Sequence, residues 1–362
     1  MKMLDNLRLE TLVGLGAASL LGYVLWGPKT TKPRAANAAG ALAGLQNIGN
    51  SCFLNAVLQA LASSPAVIKW LSSPPSTTAS QAHRQLRAAL IDVIQVVNRT
   101  HPEQRADPFT PAGVVTCLLR LGWLIRRDEQ DTHEMFYVLC AVRWENFESL
   151  SLPLPAAPRL QALSLPTLLG QFSAPETVHD VKCDSCQRRG RFSKRSLVAK
   201  LPPALCLHLP RTTWQNNGQA GKRGDHVAFY ETLNMFPYTY AASVTTPSPG
   251  SSPPSDSRRH VYRLTAVIVH SGGAHSGHFV TYRRRADPTD SSWFYTSDTL
   301  VSRASASEVF SSAAYMLFYD RVAPSAAVWG CRIFPHGCCA VLSCRDHGEL
   351  LRPAWLSPVA NL

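Results

Sequence analysis

Apolar residues follow one rhythm in the first half of this chain and another in the second. Leu54, Val57, Leu58 and Leu61 recur at i, i+3, i+4 and i+7, the stripe of a helix with one buried face. Asn50 and Ser51 stand just ahead of it as good N-caps. Leu86, Leu90, Ile94 and Val97 mark a second helix. Thr110-Pro111 opens a third, a cap followed by proline at the first helical position, with Val114, Val115, Leu118 and Leu119 apolar. Asp131 to Cys140 predicts a fourth, with Met135 and Leu139 on one face. From Val142 to Val322 the pattern turns to strands: Tyr262 to His270, Phe279 to Arg284, Trp293 to Asp298, and Tyr315 to Tyr319. A helical lobe followed by a β-rich lobe is an α+β arrangement.

The ends and one internal stretch stand apart. Thr11 to Trp26 carries no charge and no proline. It is shorter than the ~20 residues of a full span but near the lower limit of ~17 once its flanks are counted. Gly27-Pro28-Lys29 is a poor cleavage site, which argues against a secretory signal. Lys29, Lys32 and Arg34 place the following chain on the cytosolic side, and Tyr23 and Trp26 suit an interface. Residues 11–26, after a short N-terminal segment 1–10, are therefore expected to be a transmembrane signal anchor. A buried globular helix is the structural alternative. Residues 27–43 read as a linker, and 241–259, rich in Ser, Pro and Thr, as a disordered insertion. The tail, 323–362, is expected to be unstructured; its Cys331, Cys338, Cys339 and Cys344 fit no zinc spacing.

The chemistry begins at Cys52, where glycines and asparagines give way to the first helical stripe. A thiol in the first turn meets free backbone N–H groups and the positive end of the helix dipole, which favour thiolate. A lone cysteine in such a place is usually a small buried side chain. A base changes that balance. His278 follows a Gly-rich turn and opens a strand, preceded by Gly277. Its second ring nitrogen needs an orienting group, and the strand Trp293 to Asp298 ends in polar residues. Cysteine on an N-terminal helix, with histidine and a polar orienter on C-terminal strands, is the order of papain-like thiol hydrolases.

Four ordered segments now bear on family. Gly44 to Leu61 resembles the cysteine box of the ubiquitin-specific proteases, and Tyr262 to Tyr319 resembles their histidine box. Asp128-Glu129-Gln130-Asp131-Thr132-His133-Glu134 resembles the motif between the boxes, and Leu201 to Arg211 the strand that crosses the palm. The resemblance covers residues 44–322. With the apolar N-terminal segment and a serine at 297, where most relatives carry aspartate or asparagine, it is nearest to the member anchored in the mitochondrial outer membrane. The resemblance implies a papain-like cysteine protease fold of helical thumb, β palm and fingers. It implies a deubiquitinating activity that splits isopeptide bonds after ubiquitin's C-terminal glycine on mitochondrial proteins, opposing mitophagy. It assigns Cys52 as nucleophile, His278 as general base and acid, Ser297 as the group orienting His278, and Asn47 as the oxyanion-hole amide. Asp298 becomes an auxiliary orienter, and His275 and His133 are left structural. The expected site is the cytosolic face of the mitochondrial outer membrane, although the same anchor would serve a peroxisomal membrane.

Composition narrows the partners. The chain of 362 residues is 45% hydrophobic, enough for one large core or two modest ones. Its ten cysteines show no secretory spacing, which reads as a reducing compartment. A net charge of +12 suits solubility, an anionic membrane surface or acidic partners. The basic residues are scattered without stacking aromatics, so nucleic acid is not an expected partner. Ubiquitin's basic tail calls for acids in its channel, and Asp128, Glu129, Asp131 and Glu134 form the local acidic cluster. These acids also suit a helix N-terminus.

One departure weakens the resemblance. The family's fingers are usually stapled by two Cys-x-x-Cys pairs holding zinc, and this chain has only Cys183-Asp184-Ser185-Cys186. One pair cannot close a tetrahedral site. The expectation is truncated fingers, no metal and no cofactor, with Cys183 and Cys186 a remnant half-site. Two function classes stay open: an active thiol isopeptidase, and a membrane-tethered ubiquitin-binding pseudoenzyme whose cut fingers prevent turnover.

Overall fold

The computed structural model describes residues 40–74, 79–123, 130–140, 149–155, 162–182, 189–214, 220–244, 260–273 and 277–322, together with the backbone of 338–344. The expected anchor at 11–26, residues 27–39, residues 245–259, and Cys183 and Cys186 lie outside them. Among the described residues no helix is long and apolar enough to cross a membrane.

Five helices build the first lobe: α1 (Cys52–Ala62), α2 (Pro65–Ser72), α3 (Gln81–Val97), α4 (Ala112–Arg120) and α5 (Thr132–Cys140). Ser64 and Ser80 accept hydrogen bonds from the third residue beyond them and cap α2 and α3. Pro111 precedes α4 as its cap residue and is not its first residue; the Thr110 hydroxyl turns away to Gln46. Ser51 holds the cap position of α1, but its hydroxyl faces back into the loop, accepting from the Ile48 N–H.

The second lobe is centred on an eight-stranded sheet. Its strands are β1 (Ser149–Ser151), β5 (Ala204–His208), β9 (Thr232–Asn234), β10 (Val261–Gly272), β11 (Gly277–Arg284), β12 (Trp293–Ser297), β13 (Leu300–Ala304) and β14 (Ala314–Arg321). Across it the order is β1-β5-β14-β10-β11-β12-β13, with β9 on β10. All these pairings are antiparallel except β1 with β5. Period-two alternation divides the side chains between two cores. Cys206, Ala266, Ile268, Met316 and Phe318 face the helices. Leu205, Leu207, Leu264, Leu317 and Tyr319 face the opposite way, toward Leu165, Leu168 and Leu169 of α6 (Leu165–Phe172). Helix α1 lies on β11, where the buried Thr281 hydroxyl donates to Ala56 O at 2.9 Å.

Short pairs complete the lobe: β2 (Leu163–Ser164) with β8 (Val227–Ala228), and β6 (Thr212–Trp214) with β7 (Ala220–Lys222). A separate three-stranded sheet contains β3 (Glu176–Lys182), β4 (Arg189–Val198) and β15 (Cys338–Cys344) in the order β15-β4-β3. Two described elements fall in stretches expected to be irregular. Residues Tyr240–Val244, which include the start of the expected insertion, form a short helix, α7, and 245–259 lie outside the described residues. The tail is not wholly unstructured: residues 338–344 pair antiparallel with β4, Cys338 with Val198 through Cys344 with Phe192. The reason is physical. An uncharged, β-prone run meets a strand edge with open backbone donors and acceptors.

Candidate active site

The loop before α1 is folded by one side chain. Asn47 Oδ1 accepts from the N–H groups of Gly49 and Ser51, both at 3.1 Å, and from the Ser51 hydroxyl. Gly49 and Asn50 take left-handed backbone angles, φ 99° and 51°. The loop then rests on the tight turn joining β12 and β13. Leu45 N–H donates to Asp298 O at 2.9 Å. A Cβ at Gly44 would lie 2.4 Å from the Thr299 carbonyl oxygen, so only glycine allows this approach.

Cys52 is the first residue of α1 and is half-buried. Contrary to the expectation from the helix dipole, its pKa is raised. Burial is the largest cause. The Phe279 N–H bonds the sulfur and pulls the other way, the Asp298 charge pushes up, and the first-turn N–H groups of Phe53 and Cys52 pull down. The first-turn donors are present but are outweighed. The Phe279 bond also places the sulfur beside the peptide that follows His278.

His278 lies on β11, and its Nε2 is 2.8 Å from Ser297 Oγ at the end of β12. When Nε2 carries the hydrogen and donates to the hydroxyl, Nδ1 is left as the acceptor. The structure brings Cys52, His278 and Ser297 to one place. Asp298 is brought there too, beside Ser297. Its two oxygens accept from Asn47 Nδ2 at 3.0 Å and Asn55 Nδ2 at 2.8 Å. In a left-handed turn position, φ 48°, Asp298 ties the loop and α1 together. Asn47 is exposed, and one of its two amide hydrogens is used by Asp298.

The other expected residues separate. His133, on α5, stacks on His208 of β5 with ring centroids 3.8 Å apart, and bonds the Ser149 hydroxyl. Burial lowers the pKa of both rings, that of His208 to about 3. Asp131 accepts from Tyr315 and from the His133 N–H. His275, Asp128 and Glu129 lie outside the described residues. Among the described residues no cluster of three or more metal-ligating side chains exists. Cys117, Cys140 and Cys206 are buried, and burial pushes the Cys140 and Cys206 thiols up.

Sequence reasoning missed Asn55. Its signal was a polar residue on the buried stripe of α1: Asn55 and Gln59, four apart, are both 2% exposed. Gln59 accepts from Arg283, a wholly buried guanidinium that also donates to Asn98 and Ala62 O.

A thiol on a helix start, an imidazole on a strand and a hydroxyl on the next strand define a thiol hydrolase. Comparison with known proteins gives the family. The ubiquitin carboxyl-terminal hydrolase family profile matches residues 43–319. Mouse ubiquitin carboxyl-terminal hydrolase 30 is 28% identical, over 85% of this chain and 90% of its own. The human protein of that name is likewise 28% identical, with the same coverage. That alignment runs over 467 residues, longer than this chain of 362, so the relative carries segments that this chain lacks. The fold resembles a chain in the SAGA Ubp8/Sgf11/Sus1/Sgf73 DUB module bound to ubiquitin aldehyde. The TM-score is 0.61, with 22% identity over 84% of this chain and 75% of the other. The chain belongs to the ubiquitin carboxyl-terminal hydrolase family and is a cysteine-type ubiquitin hydrolase.

Proposed function

We propose that the chain removes ubiquitin from proteins of the mitochondrial outer membrane, held there by residues 11–26, with Cys52, His278 and Ser297 as its reacting set. The observation that carries the site assignment is the geometry around His278: Ser297 Oγ lies 2.8 Å from its Nε2, and the next peptide bonds the Cys52 sulfur. Similarity to ubiquitin carboxyl-terminal hydrolase 30 supports the location.

Because the Cys52 pKa is raised, the resting thiol keeps its proton. His278 Nδ1 removes it as the sulfur attacks the carbonyl carbon of ubiquitin's last glycine. The second Asn47 amide hydrogen and the Cys52 N–H donate to the oxyanion. The imidazolium, steadied through Nε2 by Ser297, then protonates the departing lysine amine. Water hydrolyses the thioester with His278 again as base. Serine is a neutral orienter and stabilises imidazolium less than a carboxylate would. Full-length protein should be captured by ubiquitin bearing a C-terminal electrophile, and Cys52→Ala should abolish capture. A protein that binds ubiquitin but is never captured would instead be the tethered pseudoenzyme.

A further inference from the structure

Strand β10 outruns one of its neighbours. Its ladder with β14 ends at Val269 opposite Ala314, yet the strand continues through His270, Ser271 and Gly272, paired there with β11. Carbonyls two residues apart point to the same side of a strand, so those of His270 and Gly272 share one edge. Lys222, at the end of β7, donates to both: its Nζ is 3.0 Å from His270 O and 2.7 Å from Gly272 O. An ammonium offers three donors and no acceptor, which suits two carbonyls left by a missing strand.

The clamped residues are those that set the histidine. Ser271, between the two carbonyls, is the register partner of His278, and Gly272 is the partner of Gly277. The His270 ring stacks on Phe279 at 4.4 Å, and the Phe279 N–H is the donor to Cys52. There is no slack at this hairpin end. A Cβ on Gly277 would lie 2.1 Å from His270 Nε2 and 2.3 Å from Ser271 O. We propose that Lys222 is a positioning residue: by bridging the His270 and Gly272 carbonyls it stands in for a strand and fixes the hairpin end that presents His278 and Phe279 to Cys52. The inference rests on Cys52 and His278 being the reacting pair.

The test uses the full-length chain and ubiquitin carrying a C-terminal fluorogenic amide. Lys222→Met should lower kcat about tenfold with KM changed less than about twofold, as expected when an aligning contact and not a binding contact is lost. Lys222→Arg, which can reach two carbonyls with two N–H groups, should recover about half of the lost rate or more. If Lys222→Met does not fold, Lys222→Gln, which keeps one amide donor group, should fall between wild type and inactive. Wild-type kcat in the Met or Gln variant, a rise in KM alone, or an Arg variant no better than Met would overturn the inference. His278→Ala separates the two readings. If it retains turnover, the assignment of the reacting pair fails. If it is dead beside a fully active Lys222→Met, only the clamp fails.

Discussion

Ser297 and Asp298 are neighbours in sequence with different work. The Ser297 hydroxyl touches the histidine, whereas Asp298 holds Asn47 and Asn55 and raises the Cys52 pKa by its charge. Ser297→Ala should therefore lower kcat by roughly 10- to 100-fold, the worth of a hydrogen bond to a charged group. Ser297→Asp should preserve or raise it, because a carboxylate stabilises imidazolium better. Steady-state turnover of a fluorogenic ubiquitin amide measures both, and a silent Ser297→Ala would remove the serine from the mechanism. Asp298→Asn makes an opposite pair of changes. With the charge gone, iodoacetamide should alkylate Cys52 faster at a given pH, and the midpoint of its pH profile should move down. Ubiquitin turnover should nevertheless fall as Asn47 loosens. Equal alkylation profiles would show that the Asp298 charge does not reach the sulfur.

At the scale of elements, helix α2 is pinned to the sheet by Asp320 of β14, which accepts from the Ser64 hydroxyl at 2.5 Å and the Ala66 N–H at 3.0 Å. Burial pushes this carboxyl up to about 6 despite the two donors. The raised pKa means that between about pH 4 and 6 the folded chain holds a proton that the unfolded chain has released, so this group's contribution to stability declines as pH rises through that window. Asp320→Asn should thus gain on wild type between pH 4 and 7, by at most about 3 kcal/mol. Urea unfolding at the two ends of the range measures it; a gap that does not widen would place the ordinary carboxylate there. The tail strand allows a second test. Deleting 338–362 uncovers β4, and hydrogen exchange should quicken in Arg189–Val198 while α1 stays protected. Unchanged exchange in β4 would mean that the tail is not its partner.

The helical stripes and the histidine-bearing strands were legible because each is set by local periodicity, as at Leu54 to Leu61 and Tyr262 to His270. What was not legible depends on residues far apart. Asn55 meets Asp298 across 243 positions, and Lys222 reaches Gly272 across 50. The thiolate expected at Cys52 rested on the helix start alone, whereas its raised pKa comes first from burial, which only packing sets. The tail strand needs the edge that β4 offers as well as the β-prone run at 338–344, and that edge is set only by the sheet.

For the molecule as a whole, the catalytic lobes do not draw on the segments that the longer relatives carry. Both cores close around the central sheet using described residues between 45 and 319. Deleting residues 1–26 should leave hydrolysis intact and release the protein from membranes; a truncated form that still pellets with them would argue against the anchor. In the proposed mechanism this chain attacks ubiquitin's C-terminal carbonyl through Cys52. Incubating the full-length protein with ubiquitin carrying a C-terminal electrophile tests it most directly. A covalent adduct of one ubiquitin per chain, mapped to Cys52 and absent in Cys52→Ala, is the predicted result. Adduct formation that survives Cys52→Ala, or folded protein that never forms one, would contradict it.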